Sequence, residues 1–140
     1  MPPTMEERKQ EIETDHAWLE RTGDLVIQRW KPGITLDVET IRKTMLVRHE
    51  FFGGDPYVII VVVPEGSRFA MSFLENNQYK GTTVETSIIG MVNVVEEEDV
   101  RAIVSLYYAQ HPPGYEFAVV GSMSGAQAWA KALLDKHGKT

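Results

Sequence analysis

Tyr57-Val58-Ile59-Ile60-Val61-Val62-Val63 is the stretch that most narrows what this chain can become. Valine and isoleucine in succession favour extended backbone, because branching at Cβ crowds a helix and suits a pleated surface. The run has no polar residue at alternate positions. Such a strand must be covered on both faces, which is the situation of a parallel strand inside a sheet. Ile88-Ile89-Gly90-Met91-Val92-Asn93-Val94-Val95 reads the same way, with Gly90 marking a point where a neighbour comes close.

The segments around these strands carry helix and hairpin signals. Ala17–Arg21 and Leu25–Trp30 flank Thr22-Gly23-Asp24 and read as a β-hairpin, in which Val26, Gln28 and Trp30 share one face. Asp37 is a good N-cap for a helix carrying Val38, Ile41, Met45 and Phe52, and Gly53-Gly54-Asp55-Pro56 ends it. Ser67 suits the start of a second helix carrying Ala70, Phe73, Leu74 and Asn77. Glu96-Glu97-Glu98-Asp99 opens a third, with Val100, Ile103, Val104 and Tyr107 inward and His111-Pro112-Pro113-Gly114 as its stop. Glu116–Val120 is a short strand. Ser124 and Gln127 have capping-box spacing ahead of a last helix with Ala126, Trp129, Ala130 and Leu133 inward. Strands alternating with helices require parallel pairing. The expectation is therefore one α/β domain over 16–138, with a mixed sheet of about five strands and four helices. Residues 1–15 form a charged segment, in which Thr4 and Glu7 have the spacing for a short helix.

Composition excludes several functions. The chain has 140 residues, 43% of them hydrophobic, and a net charge of −6, which speaks against a nucleic-acid-binding role. It has no cysteine, so thiol catalysis, cysteine-ligated zinc and disulfides are ruled out. No apolar run reaches the roughly 20 residues needed to cross a bilayer. The start of the chain lacks the apolar core of a signal peptide, so the expectation is a cytoplasmic protein without membrane insertion.

The order of these elements resembles the STAS domain, and more closely a family of small bacterial STAS-like (SpoIIAA-like) proteins of unassigned function. The likeness rests on several soft motifs in sequence. Trp30-Lys31-Pro32-Gly33 closes the hairpin, and Ile34-Thr35-Leu36-Asp37 leads into the first helix. The third helix bears Arg101 and ends in Tyr107 and Tyr108, and the last runs through Ala126, Trp129 and Leu133. The resemblance implies a non-enzymatic binding or regulatory module, acting on a protein partner or as a homodimer. Phosphorylatable STAS antagonists carry an Asp-Ser pair after the first central strand. Here Glu65-Gly66-Ser67 lacks that aspartate, so the phospho-switch does not transfer.

Two strand-to-helix junctions are candidates for anion or small-ligand binding. Ser67 suits either an N-cap or a phosphate acceptor, because free N–H groups at a helix start favour negative charge. Gly121-Ser122-Met123-Ser124-Gly125 offers two glycines for close backbone approach and two hydroxyls, with no acid in the first turn. It lacks the spacing and lysine of a P-loop. These junctions support the alternative of a carrier or sensor for a small apolar or anionic ligand. Tyr107 and Tyr108 are adjacent on a helix, so one of them should point outward and serve a partner surface. Glu96–Asp99 complements the helix dipole without a metal. His16, His49, His111 and His137 lack zinc-ligand spacing, and no Gly-x-Ser-x-Gly elbow supports a hydrolase built on Ser67 or His111. Neither a cofactor nor a metal is expected.

Overall fold

A computed structural model describes residues 9–70 and 87–138 of the chain. In chain order it contains β1 (Lys9–Glu13), β2 (Ala17–Thr22), β3 (Leu25–Trp30), β4 (Thr35–Leu36), α1 (Val38–Phe52), β5 (Tyr57–Val63), β6 (Arg68–Phe69), β7 (Ile88–Val95), α2 (Glu98–Gln110), β8 (Glu116–Val120) and α3 (Met123–Lys136). The main sheet has six strands in the order β1-β2-β3-β5-β7-β8. β1, β2 and β3 are antiparallel, and each pairing from β3 to β8 is parallel. β4 and β6 form a separate parallel pair. The α/β class and the mixed sheet match expectation.

The central run behaves as its composition demands. Tyr57, Ile59, Val61 and Val63 of β5 enter one core, and Val58 and Ile60 enter the other. The first core packs against α1 and α2 through Met45, Phe52, Val104, Tyr107 and Tyr108. The second packs against α3 through Ala126, Ala130, Leu133 and Leu134. α3 packs mainly over β5, β7 and β8. On its side of the sheet, the β1–β3 half keeps Trp18 44% exposed. Gly90 does mark a close approach. A Cβ there would clash with Leu133 and stand 3.0 Å from Trp129 and 3.1 Å from the Glu116 carbonyl oxygen.

Two expectations are corrected. Over Lys9–Glu13 the charged segment is an edge strand and not a helix. Alternation explains the change: Ile12 packs toward the first core, while Lys9, Glu11 and Glu13 take the opposite face. There Lys9 pairs with Glu20 at 2.8 Å and with Glu11 at 3.1 Å, and Glu13 pairs with Lys31. A helix would place these charges all round and give up the pairing with β2. Thr4 and Glu7 lie outside the described residues. The sheet thereby has six strands where about five were expected. After Ser67 the chain continues extended, with Arg68–Phe69 pairing with Thr35–Leu36. The rest of the helix expected there, with Phe73, Leu74 and Asn77, also lies outside the described residues, which contain three helices. No helix among the described residues is long and apolar enough to cross a membrane.

Asp37 caps α1 as its spacing suggests. Its backbone is extended, and its Oδ1 accepts the Thr40 N–H at 2.7 Å. That hydrogen bond holds the carboxyl below its ordinary range. The sign follows: the cap stabilises the fold fully above the unfolded carboxyl value and loses that contribution as pH falls through the lowered folded value. Asp37→Ala should therefore cost about 0.5–2 kcal/mol at pH 7. Urea titration should show the difference from the parent shrinking in acid below about pH 4, whereas Asp37→Asn should keep its capping without that pH dependence.

Candidate functional site

Register places three residues in one row across the sheet. Gln28 of β3 pairs with Val61 of β5, which pairs with Asn93 of β7. All three face the α1–α2 side. Two strand spacings put the Gln28 and Asn93 Cα atoms roughly 10 Å apart. Both polar side chains are buried, Gln28 to 3% and Asn93 to 6% exposure. Buried amides of this kind need hydrogen-bond partners, since an unmet polar group costs about 1–3 kcal/mol.

α1 supplies a partner for the first. Arg48 is 1% exposed, and its Nη1 donates to Gln28 Oε1 at 2.6 Å. Its Nε donates to the Tyr57 hydroxyl at 3.0 Å, tying helix α1 to the start of β5. α2 supplies a partner for the second. Asn93 Nδ2 donates to the Tyr108 hydroxyl at 2.9 Å, and that hydroxyl donates to Met91 Sδ at 3.0 Å. These contacts engage one end of each amide. Among the described residues, Gln28 Nε2 and Asn93 Oδ1 make no hydrogen bond.

The row is the floor of a cavity of about 50 Å³. Its walls are apolar: Trp30 from the end of β3, Ile41 from α1, Val104 from α2, and Leu36 and Phe69 from the β4–β6 pair. Such a volume holds roughly three to five waters or a small ligand group. Because the strand order never reverses between β3 and β8, the sheet has no switch-point crevice of the dinucleotide-binding kind. The cavity lies instead under α1 and α2, toward the carboxyl ends of the parallel strands.

The residues expected from sequence lie elsewhere. Ser67 Oγ donates to the Pro64 carbonyl at 2.7 Å, and the neighbouring Gly66 N–H donates to Glu97 Oε1 at 2.7 Å. A carboxylate of the chain itself thus takes one of the N–H groups of that turn. Ser122, and not Ser124, caps α3: its Oγ accepts the Gly125 N–H at 3.1 Å, with Ser124 Oγ 3.3 Å away. Arg101 packs on Gly121 so closely that a Cβ there would stand 2.7 Å from its Nη1. The two junctions follow β5 and β8, two strand positions apart, and none of Ser67, Gly121, Ser122, Ser124 or Gly125 lines the cavity. Ser67 and His111 lie near opposite ends of α2. Gly66 touches the start of α2, and His111 caps its far end, 13 residues and roughly 20 Å away.

Tyr107 and Tyr108 correct the expected partner surface. Both are buried, at 4% and 5% exposure. Adjacent helix residues point about 100° apart, and α2 sits deep enough for its apolar arc to cover both. Tyr108 stacks on Phe117 at 4.6 Å, and Tyr107 meets the edge of Tyr108 at 5.3 Å. The sequence reading did not single out Arg48 or Asn93. The signal for Gln28 was present, since it is the one polar residue between Val26 and Trp30 on their shared face.

Tyr108→Ala should accordingly destabilise the fold by about 3–5 kcal/mol, as a truncation in a core. Tyr108→Phe should cost less, about 1–3 kcal/mol, by leaving Asn93 without its acceptor; urea midpoints at constant m-value would check both. Scans against protein-family models, curated proteins and solved structures return no match to this chain.

Proposed function

We propose that the chain is a STAS-like, non-enzymatic binding module whose cavity holds a small ligand, as a carrier or sensor. One observation carries this reading: two deeply buried amides, Gln28 and Asn93, line one small cavity with one hydrogen-bonding end of each left unengaged among the described residues. A core that required only packing would place apolar side chains there, because amides without partners are costly. Apolar walls with a few placed polar groups are the general form of small-molecule sites. The element order from hairpin to closing helix supports the STAS-like assignment.

The test is a thermal-shift and native mass-spectrometry screen against small neutral fragments. A true ligand should stabilise the fold in a saturable way, by about 2.7 kcal/mol at a hundredfold excess over its Kd. Val61→Ile, which adds a methylene to the cavity floor, should leave the apo protein folded and abolish that rise. A flat screen for the parent protein would overturn the reading.

A second reading, docking of a protein partner or a second copy, moves from the buried tyrosines to the face of β1–β3 that carries Trp18. There Trp18 is 44% exposed, and Lys31 Nζ lies 5.2 Å from its ring centroid. Lys9, Glu13, Glu20 and Arg29 surround it with charge; Lys9 holds the Glu20 carboxyl below its ordinary range, and Lys31 does the same for Glu13. Trp18→Ala should abolish any association seen by light scattering or pull-down while leaving the unfolding free energy from urea titration within about 0.5 kcal/mol of the parent. Association unchanged by that substitution would remove this reading.

A further inference from the structure

Resting on the cavity reading, we infer that the ligand is neutral and presents an amide: a carbonyl oxygen beside an N–H, as in a carboxamide or a lactam. The lining sorts the possibilities by hydrogen-bond polarity. Arg48 Nη1 occupies Gln28 Oε1 at 2.6 Å, which fixes the orientation of that amide and leaves Nε2, a donor, for the cavity. Donation from a guanidinium to the oxygen also polarises the Gln28 amide and strengthens its N–H groups as donors. At the other end, Asn93 commits Nδ2 to Tyr108 and leaves Oδ1, an acceptor. The cavity therefore offers a donor on the β3 side and an acceptor on the β7 side, with the apolar Val61 between them.

A ligand that meets both must carry an acceptor toward Gln28 and a donor toward Asn93. An amide does so with one planar group. A ketone satisfies Gln28 and leaves Asn93 Oδ1 buried without a partner. A carboxylate brings negative charge against Oδ1 and must also lose its hydration among the apolar walls, while the guanidinium of Arg48 stands behind Gln28 and does not line the cavity. Neither Gln28 nor Asn93 carries a titrating group.

Acetamide, acetone and acetate are near-isosteric probes that differ in just these properties, and each has four heavy atoms to match a small cavity. Titration of ¹⁵N-labelled full-length protein, followed through backbone amides and the side-chain NH₂ groups of Gln28 and Asn93, reads site and affinity together. Acetamide should shift the Gln28 and Asn93 signals in a saturable way and bind about tenfold more tightly than acetone or acetate, the discrimination expected of one further buried hydrogen bond. Asn93→Leu, if it folds, should bring acetamide and acetone to equal affinity. Equal binding of acetamide and acetone by the parent protein would overturn the amide assignment while leaving the cavity as a site. Failure of all three probes to move any cavity signal would overturn the cavity reading itself.

Discussion

The fold depends on burying β5 on both faces. A strand of valine and isoleucine with no polar alternation is stable only where apolar groups cover each side of the sheet. α1 and α2 meet Ile59, Val61 and Val63 on one side, and α3 meets Val58 and Ile60 on the other. β3 and β7 then flank β5 in parallel, and the strands beyond them can be shorter or half-covered. The outer strands follow that gradient. β1 carries charge on its open face, a common way of keeping an edge strand from pairing with other chains.

The same arrangement creates the polar row. Because β5 lies between β3 and β7, Gln28 and Asn93 come to face each other across Val61, although 65 positions separate them in the chain. Each is reached by a helix: Arg48 descends from α1 to Gln28, and Tyr108 from α2 to Asn93. A guanidinium buried to 1% exposure is expensive to desolvate, and hydrogen bonds to Tyr57 and Gln28 offset part of that cost. Arg48 thereby joins α1 to both β3 and β5, so the position of the helix and the orientation of the Gln28 amide are set by one side chain.

Local chemistry made much of the fold legible. The cap at Asp37, the stop at Gly53 and the close approach at Gly90 each follow from a residue and its immediate neighbours. Where reading failed, a distant element had decided. Lys9–Glu13 lacks the apolar content of a strand that stands alone, and becomes one because β2 offers a ladder and Glu20 and Lys31 offer counter-charges. Arg68–Phe69 is extended because it pairs with Thr35–Leu36, more than thirty positions earlier. Tyr107 and Tyr108 are both inward because α2 is packed over a sheet whose β8 supplies Phe117. Helical periodicity alone allots one face and does not state how wide that face is.

By itself, then, the sequence determined an α/β chain with two strands buried on both faces, capped helices and a hairpin, because these properties follow from side-chain branching, alternation and backbone hydrogen bonds within a few residues. Only the tertiary structure decided where the polar side chains of the core meet. Ser67 and Gly121 looked like ligand sites because glycine and serine at helix starts carry a local signal. Gln28, Arg48 and Asn93 carry little, since an amide in an apolar strand acquires meaning only from what lies opposite. Register brought two of them into one row, and α1 placed the third against it, because a buried polar group is settled by partners that the chain supplies from elsewhere.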